Sequence, residues 1–164
     1  TPSKKIPTWY GGGTPASCRR AADYCDGWMP GRIPTVTFNK MVKYLEEQCK
    51  LAGRPMGTTG AIPITSIDKN RDVALSKVNV KGLINEGNAP SKKTWVKPAS
   101  GTFSKVEDIE GLLMAGTPAD IARDTKRYEE AGLNHIVFDL RFRYADWYQQ
   151  IDLLGQEVLP AVRA

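Results

Sequence analysis

Pro7-Thr8-Trp9-Tyr10-Gly11-Gly12-Gly13-Thr14-Pro15-Ala16 decides how this chain is read. An extended run leads into three glycines and then into a Thr-Pro pair that opens a helix. Thr is a good N-cap, and Pro suits the first helical position because its missing N–H costs nothing there. Glycines let a backbone approach a ligand closely, and a helix N-terminus offers free N–H groups and partial positive charge. Strand, glycine turn and helix start together are the makings of a phosphate cradle. The same residues also describe an ordinary strand-to-helix turn. The stretch alone does not separate the two.

Outward from this turn the chain alternates between short extended runs and amphipathic helices. A helix is predicted over 15–24, with Cys18, Ala21, Ala22 and Cys25 on its inner face. Residues 26–29 read as a strand stopped by Pro30 and Gly31. Phe38, Met41, Val42, Leu45, Cys49 and Ala52 recur at helical spacing, with Thr35 or Thr37 as cap and Gly53 as stop. Residues 58–67 form one predicted strand, although Pro63 interrupts it. A helix follows over 68–84. Gly87, Pro90, Pro98 and Gly101 then break the rhythm, so 85–104 is expected to be an insertion loop or lid.

A short helix is predicted over 106–114. Gly116-Thr117-Pro118-Ala119-Asp120 repeats the Thr-Pro helix start with no strand expected before it, and Asp120 completes its cap. The apolar run 135–140 reads as a strand buried on both faces. A last helix carries Trp147, Ile151, Leu154, Val158 and Leu159. Such alternation predicts an α/β fold with a parallel sheet of about four strands and flanking helices. A complete (β/α)8 barrel takes about 250 residues. Four βα units in 164 residues therefore predict half of such a barrel, or a small open sheet.

Bulk properties narrow the function classes. The formal net charge is +5, with basic residues scattered and no aromatic-basic interleaving, so no nucleic-acid partner is expected. No apolar run approaches the ~20 residues of a membrane helix, and no signal-peptide pattern opens the sequence. The chain does not start with Met, which implies processing or a piece of something longer. Cys18, Cys25 and Cys49 match no metal spacing, and their odd number fits reduced thiols packed as small hydrophobes in a cytoplasmic protein. No metal is expected. His135, the single histidine, opens its strand and is read as structural.

Three segments in order carry a resemblance. They are Trp9 through Arg19-Arg20-Ala21-Ala22 to Asp26-Gly27-Trp28-Met29-Pro30, then 115–138 with Gly116-Thr117-Pro118 and Glu130-Ala131-Gly132, and finally Glu157-Val158-Leu159-Pro160. Together they resemble the C-terminal half of the bacterial luciferase-like superfamily of flavin- or coenzyme F-420-dependent oxidoreductases. Cys25 departs from the glycine usual before Asp-Gly-Trp. The resemblance implies the C-terminal half of a (β/α)8 TIM barrel as one partial-barrel domain over 1–164. It implies FMN or coenzyme F-420 as cofactor, with Gly11, Gly12, Gly13, Thr14 and Ala16 holding its phosphate.

Arg32, and Asp139, Arg141 and Arg143, follow strand C-termini, where such barrels keep their active sites, and are the candidate substrate residues. No protein acid, base or nucleophile is evident, which fits cofactor-borne redox or monooxygenase chemistry on a small-molecule substrate. The alternatives are a non-catalytic flavin-binding relative and a structural half-barrel. In either case the chain is expected to assemble with a missing N-terminal half or a second copy, since open strand edges are sticky.

Overall fold

The computed structural model describes residues 3–163. β1 (Trp9–Gly11), β2 (Gly27–Met29), β3 (Thr58–Ala61) and β6 (His135–Ile136) form one parallel sheet in that order. Trp9 pairs with Gly27, Gly27 with Thr58, and Gly60 with His135. All four C-terminal ends therefore lie on one rim. Between the strands run α1 (Pro15–Tyr24), α2 (Thr35–Leu51) and α5 (Pro118–Glu130). The chain closes on α6 (Trp147–Leu153), which continues through a π turn at 154–158 into α7 (Leu159–Arg163).

One face of the sheet is buried under these helices. Trp28 is fully buried and stacks on Phe38 of α2 at 5.7 Å, and Phe38 meets Tyr128 of α5 edge-on at 5.1 Å. Burying rings of this size supplies several kcal/mol, so this aromatic column fixes the helices on the sheet. Strand alternation sends Trp9, Met29, Gly60, His135 and Val137 to the other, concave face. That face is open: Trp9 and Val137 are each 39 % exposed. The expectation that 135–140 is buried on both faces fails over 135–138, where His135 and Val137 are exposed and Ile136 and Phe138 half-buried; only Asp139 and Leu140 are buried.

The concave floor explains two glycines. A Cβ at Gly27 would sit 2.7 Å from the Trp9 ring, and one at Gly60 would sit 2.6 Å from Met29 and 3.0 Å from Trp9. With both side chains missing, the indole lies across β2 and β3 and reaches His135 of β6 at 5.6 Å. His135 thus packs on the floor beside Trp9, paired with Gly60, the third residue of β3.

Residues 58–67 are two strands rather than one. The chain leaves β3 at Ala61, turns at Ile62-Pro63, and continues as β4 (Ile64–Ile67) in a separate two-stranded parallel sheet with β5 (Leu113–Gly116). Proline cannot donate to a ladder, so the sheet breaks where Pro63 stands. β5 replaces the helix expected over 106–114, of which only a 3-10 turn at 106–109 forms. The helix expected over 68–84 is likewise split into α3 (Arg71–Ser76) and α4 (Val80–Gly87). Asn70 and Asn79 cap them, accepting from Asp72 N–H at 2.8 Å and Gly82 N–H at 2.9 Å. Each Asn competes for the backbone and starts a new helix.

Thr35 and Thr37 do not cap α2, whose N-cap is Pro34. The Thr35 N–H donates to Glu110 at 2.9 Å, and the Thr37 hydroxyl accepts from Val96 N–H at 3.0 Å. Both bonds stitch the excursion to the barrel wall. Segment 85–104 is anchored as well: Trp95 and Phe103 are buried, and Asn88 pairs with Phe103 through both backbone groups at 2.8 and 3.0 Å. The final helix buries Leu154 and Val158 of the expected set, together with Gln150 and Leu153, whereas Trp147 and Ile151 of that set face outward at 46 % exposure. Among the described residues no helix is long and apolar enough to cross a membrane.

Candidate functional site at the strand C-termini

The glycine turn stands on the rim between β1 and α1. Gly12 has φ +122°, a region that L side chains avoid, and a Cβ there would also meet the Ser17 hydroxyl at 2.6 Å. Trp28 Nε1–H donates to the Gly12 carbonyl at 2.9 Å, so the Asp-Gly-Trp strand clamps the turn from below. Thr14 is the N-cap: its hydroxyl oxygen accepts from Ser17 N–H at 3.3 Å and lies 2.8 Å from the Ser17 hydroxyl. Ser17 was not singled out from sequence. Its signal was a second hydroxyl three residues after the cap.

Backbone donors remain at this turn. Gly12 N–H points to Met29 O at a long 3.4 Å, and Ser17 and Cys18 N–H are taken by Thr14 O. The N–H groups of Gly13, Thr14 and Ala16 have no partner among the described residues. The first turn of α1 carries no acidic side chain.

The second Thr-Pro start, at α5, differs. A strand and Gly116 do precede it, contrary to expectation. Its N-terminus is filled by Asp120, whose carboxylate accepts from Thr117 N–H and Oγ1–H at 2.9 Å each. Burial alone would raise that carboxyl; bonds from Thr117 and Arg123 outweigh it and hold the pKa at about 2. One helix start supplies its own anion and the other does not.

The other site residues share the rim unequally. A Cβ at Gly13 would lie 3.2 Å from Ile33 and 3.6 Å from Pro30, so the loop bearing Arg32 adjoins the glycine turn. Ile62 N–H donates to Gly31 O at 3.1 Å, and Asp139 N–H donates to Pro63 O at 3.0 Å. Arg32 and Asp139 thus flank residues 62–63. Asp139 is buried, with Arg141 forked onto it at 2.8 and 2.7 Å. That fork holds the carboxyl below the usual range against burial, with a smaller push from Arg32.

Arg143 is placed differently. It is 2 % exposed, and its guanidinium is spent on Asp146, on the Ser66 hydroxyl at 2.6 Å and on the Ile67 carbonyl at 3.4 Å. It ties β4 to the segment before α6 and offers nothing to the rim. Cys18 is buried, and desolvation pushes its thiol up to about 12, so it behaves as a packed hydrophobe. A groove of about 950 Å³ runs between α2, α5 and residues 96–98 on the outer wall. None of the rim residues line it, so it lies apart from this site.

Known proteins share this fold. An F-420-dependent secondary alcohol dehydrogenase, solved with an F-420–acetone adduct, is 21 % identical with a TM-score of 0.71, over 99 % of this chain and 51 % of that one. The coenzyme F-420-dependent tetrahydromethanopterin reductase of Methanopyrus kandleri is 21 % identical with a TM-score of 0.67, over 94 % and 50 %. The oxygenating constituent of 3,6-diketocamphane monooxygenase from Pseudomonas putida, solved with FMN, is 14 % identical with a TM-score of 0.65, over 97 % and 50 %. The chain therefore spans about half the length of the structures it matches. A family described as luciferase-like monooxygenase matches residues 1–135, and the chain belongs to that family.

Proposed function

We propose that this chain is the phosphate-holding C-terminal part of a flavin- or F-420-dependent oxidoreductase. The observation that carries this reading is the acid-free N-terminus of α1 at the C-terminal rim, where the N–H groups of Gly13, Thr14 and Ala16 have no partner among the described residues. A phosphate supplies the acceptors and negative charge that Asp120 supplies at α5. Gly11 and Gly12 let the ligand approach the backbone, and Trp28 holds the turn in place. Ser17, buried beside the Thr14 hydroxyl, orients that hydroxyl toward the same anion. When bound, FMN or coenzyme F-420 supplies the hydride or oxygen chemistry; Arg32 and the Asp139–Arg141 pair face its substrate.

The concave face and the free edges of β1 and β6 are completed by four further βα units, either an N-terminal half or a second copy. The half-length match to the solved structures supports this. The test is titration of the chain with FMN and with F-420, read by absorbance and by melting temperature. Binding of either with micromolar or tighter affinity is expected. No change with either cofactor overturns the reading. Turnover with a reduced cofactor separates an enzyme from a flavin-binding relative without catalysis.

A further inference from the structure

The rim holds a second cation whose charge the first site does not use. Asp139 and Arg141 neutralise one another through a two-bond fork, with the carboxylate buried and Arg141 reaching out to solvent. Arg32 stands on the neighbouring loop, half-buried, and makes no hydrogen bond or ion pair with any described residue. That loop is fixed on both sides. Gly31 O accepts from Ile62 N–H, Pro63 O accepts from Asp139 N–H, and Pro30 and Ile33 back onto Gly13. Two guanidiniums and one carboxylate leave a net positive charge on the rim, next to but separate from the N–H groups of α1. A half-buried guanidinium without a carboxylate partner keeps its fork of donors for an oxyanion.

We propose that Arg32 is an oxyanion-binding residue beside the mutually neutralised Asp139–Arg141 pair, so that the site takes a ligand bearing a carboxylate or phosphate besides the phosphate at Gly13. The proposal rests on the cofactor reading only in placing the reacting ligand at this rim. The anion belongs to the substrate or to the acidic tail of a deazaflavin cofactor, and both share this chemistry.

The test uses the chain labelled with 15N and titrated with inorganic phosphate. Two separable responses are expected: amide shifts at Gly13, Thr14 and Ala16, and amide shifts at Gly31, Arg32 and Ile33 on the neighbouring loop. Arg32→Gln is expected to weaken the loop response roughly tenfold, the loss of one charge-assisted pair, and to leave the shifts at Gly13, Thr14 and Ala16 unchanged. Arg32→Lys should restore part of the loop response, because charge returns without the fork. Ala16→Asp should do the reverse, removing the response at the glycine turn alone, which keeps failure of the cradle distinct from failure of this proposal. Loop amides that ignore phosphate, or a midpoint of their response unchanged in Arg32→Gln, overturn the proposal. A second titration assigns the source. Arg32→Gln weakening F-420 but not FMN places the anion on the cofactor tail; equal binding of both places it on the substrate.

Discussion

Ala16→Asp sets stability and ligand binding against each other. Ala16 is at the second position of α1, half-buried, with its N–H unpartnered and no acidic residue in the first turn. A carboxylate there meets the positive end of the helix and stabilises the fold by about 0.3–1 kcal/mol. It also stands where the phosphate would. Taking a separation of about 5 Å in water, each pair of unit charges repels by about 0.8 kcal/mol, so a phosphate of nearly two charges loses about 1.5 kcal/mol. That is roughly a tenfold loss of affinity, shrinking with added salt. Urea unfolding measures the first quantity, and fluorescence titration with FMN or F-420 at low and high salt measures the second. A variant that is more stable and binds as tightly as the parent would refute the cradle. A variant that is less stable would refute the open helix terminus on which it rests. Ala16 is a better probe than Gly12, where φ +122° and the Ser17 contact would strain any side chain.

Three other perturbations probe the supporting structure. Trp28→Phe removes the indole bond to Gly12 O and part of a fully buried ring, so cofactor affinity should fall severalfold and stability should drop by about 1–3 kcal/mol; unchanged affinity would show that the clamp does not shape the turn. Gly60→Val should drive Trp9 and Met29 off the concave floor, seen as a shift in Trp emission and loss of the Trp9–His135 contact by NMR; a protein whose Trp9 environment is unmoved would contradict the packing described. The Asp120 carboxyl, depressed from 3.8 to about 2, adds stability that is complete above pH 4 and is lost as the pH falls through 2. Asp120→Asn should therefore cost about 1 kcal/mol at pH 6, and the gap to the parent should close near pH 2; a gap that stays constant with pH would refute the role given to its charge.

What sequence could and could not reveal follows from how local each signal is. The Thr14-Pro15 start, Cys18, Ala21 and Ala22 on the inner face of α1 and the end of β2 at Pro30 are set by neighbours within a turn or two, and the structure has them where the pattern put them, while Cys25 falls just past the helix as its half-buried C-cap. β5 was invisible because its partner, β4, is about fifty residues away and both are short apolar runs that suit helix or strand equally. Arg143 sits in a charged-looking stretch after a strand, yet its burial depends on Ser66 and Ile67, more than seventy residues distant. Trp147 and Ile151 followed the helical period but fell on the outer face, since periodicity names a face without saying what covers it. The glycines of the floor were the least legible. Gly27 and Gly60 leave room for Trp9 and, at Gly60, for Met29 as well, a condition that exists only once three strands are aligned.

The two Thr-Pro starts show why a motif is read by what it lacks. Both follow a strand and a glycine, both place Thr at the cap and Pro at the first helical position, and both present the same backbone donors. At α5 the third residue after Thr is Asp120, whose carboxylate takes the Thr117 N–H and recruits Arg123 at 2.7 Å. At α1 the same position is Ser17, whose hydroxyl turns to Thr14 and leaves the turn open. An unclosed helix N-terminus is a cost to the isolated chain, because orphan donors must be left to water. The fold bears that cost on the rim where Arg32 also stands unpaired, and avoids it at α5. On the proposed reading, the open donors and the unpaired guanidinium on one rim are two halves of a surface shaped for a ligand with more than one negative group.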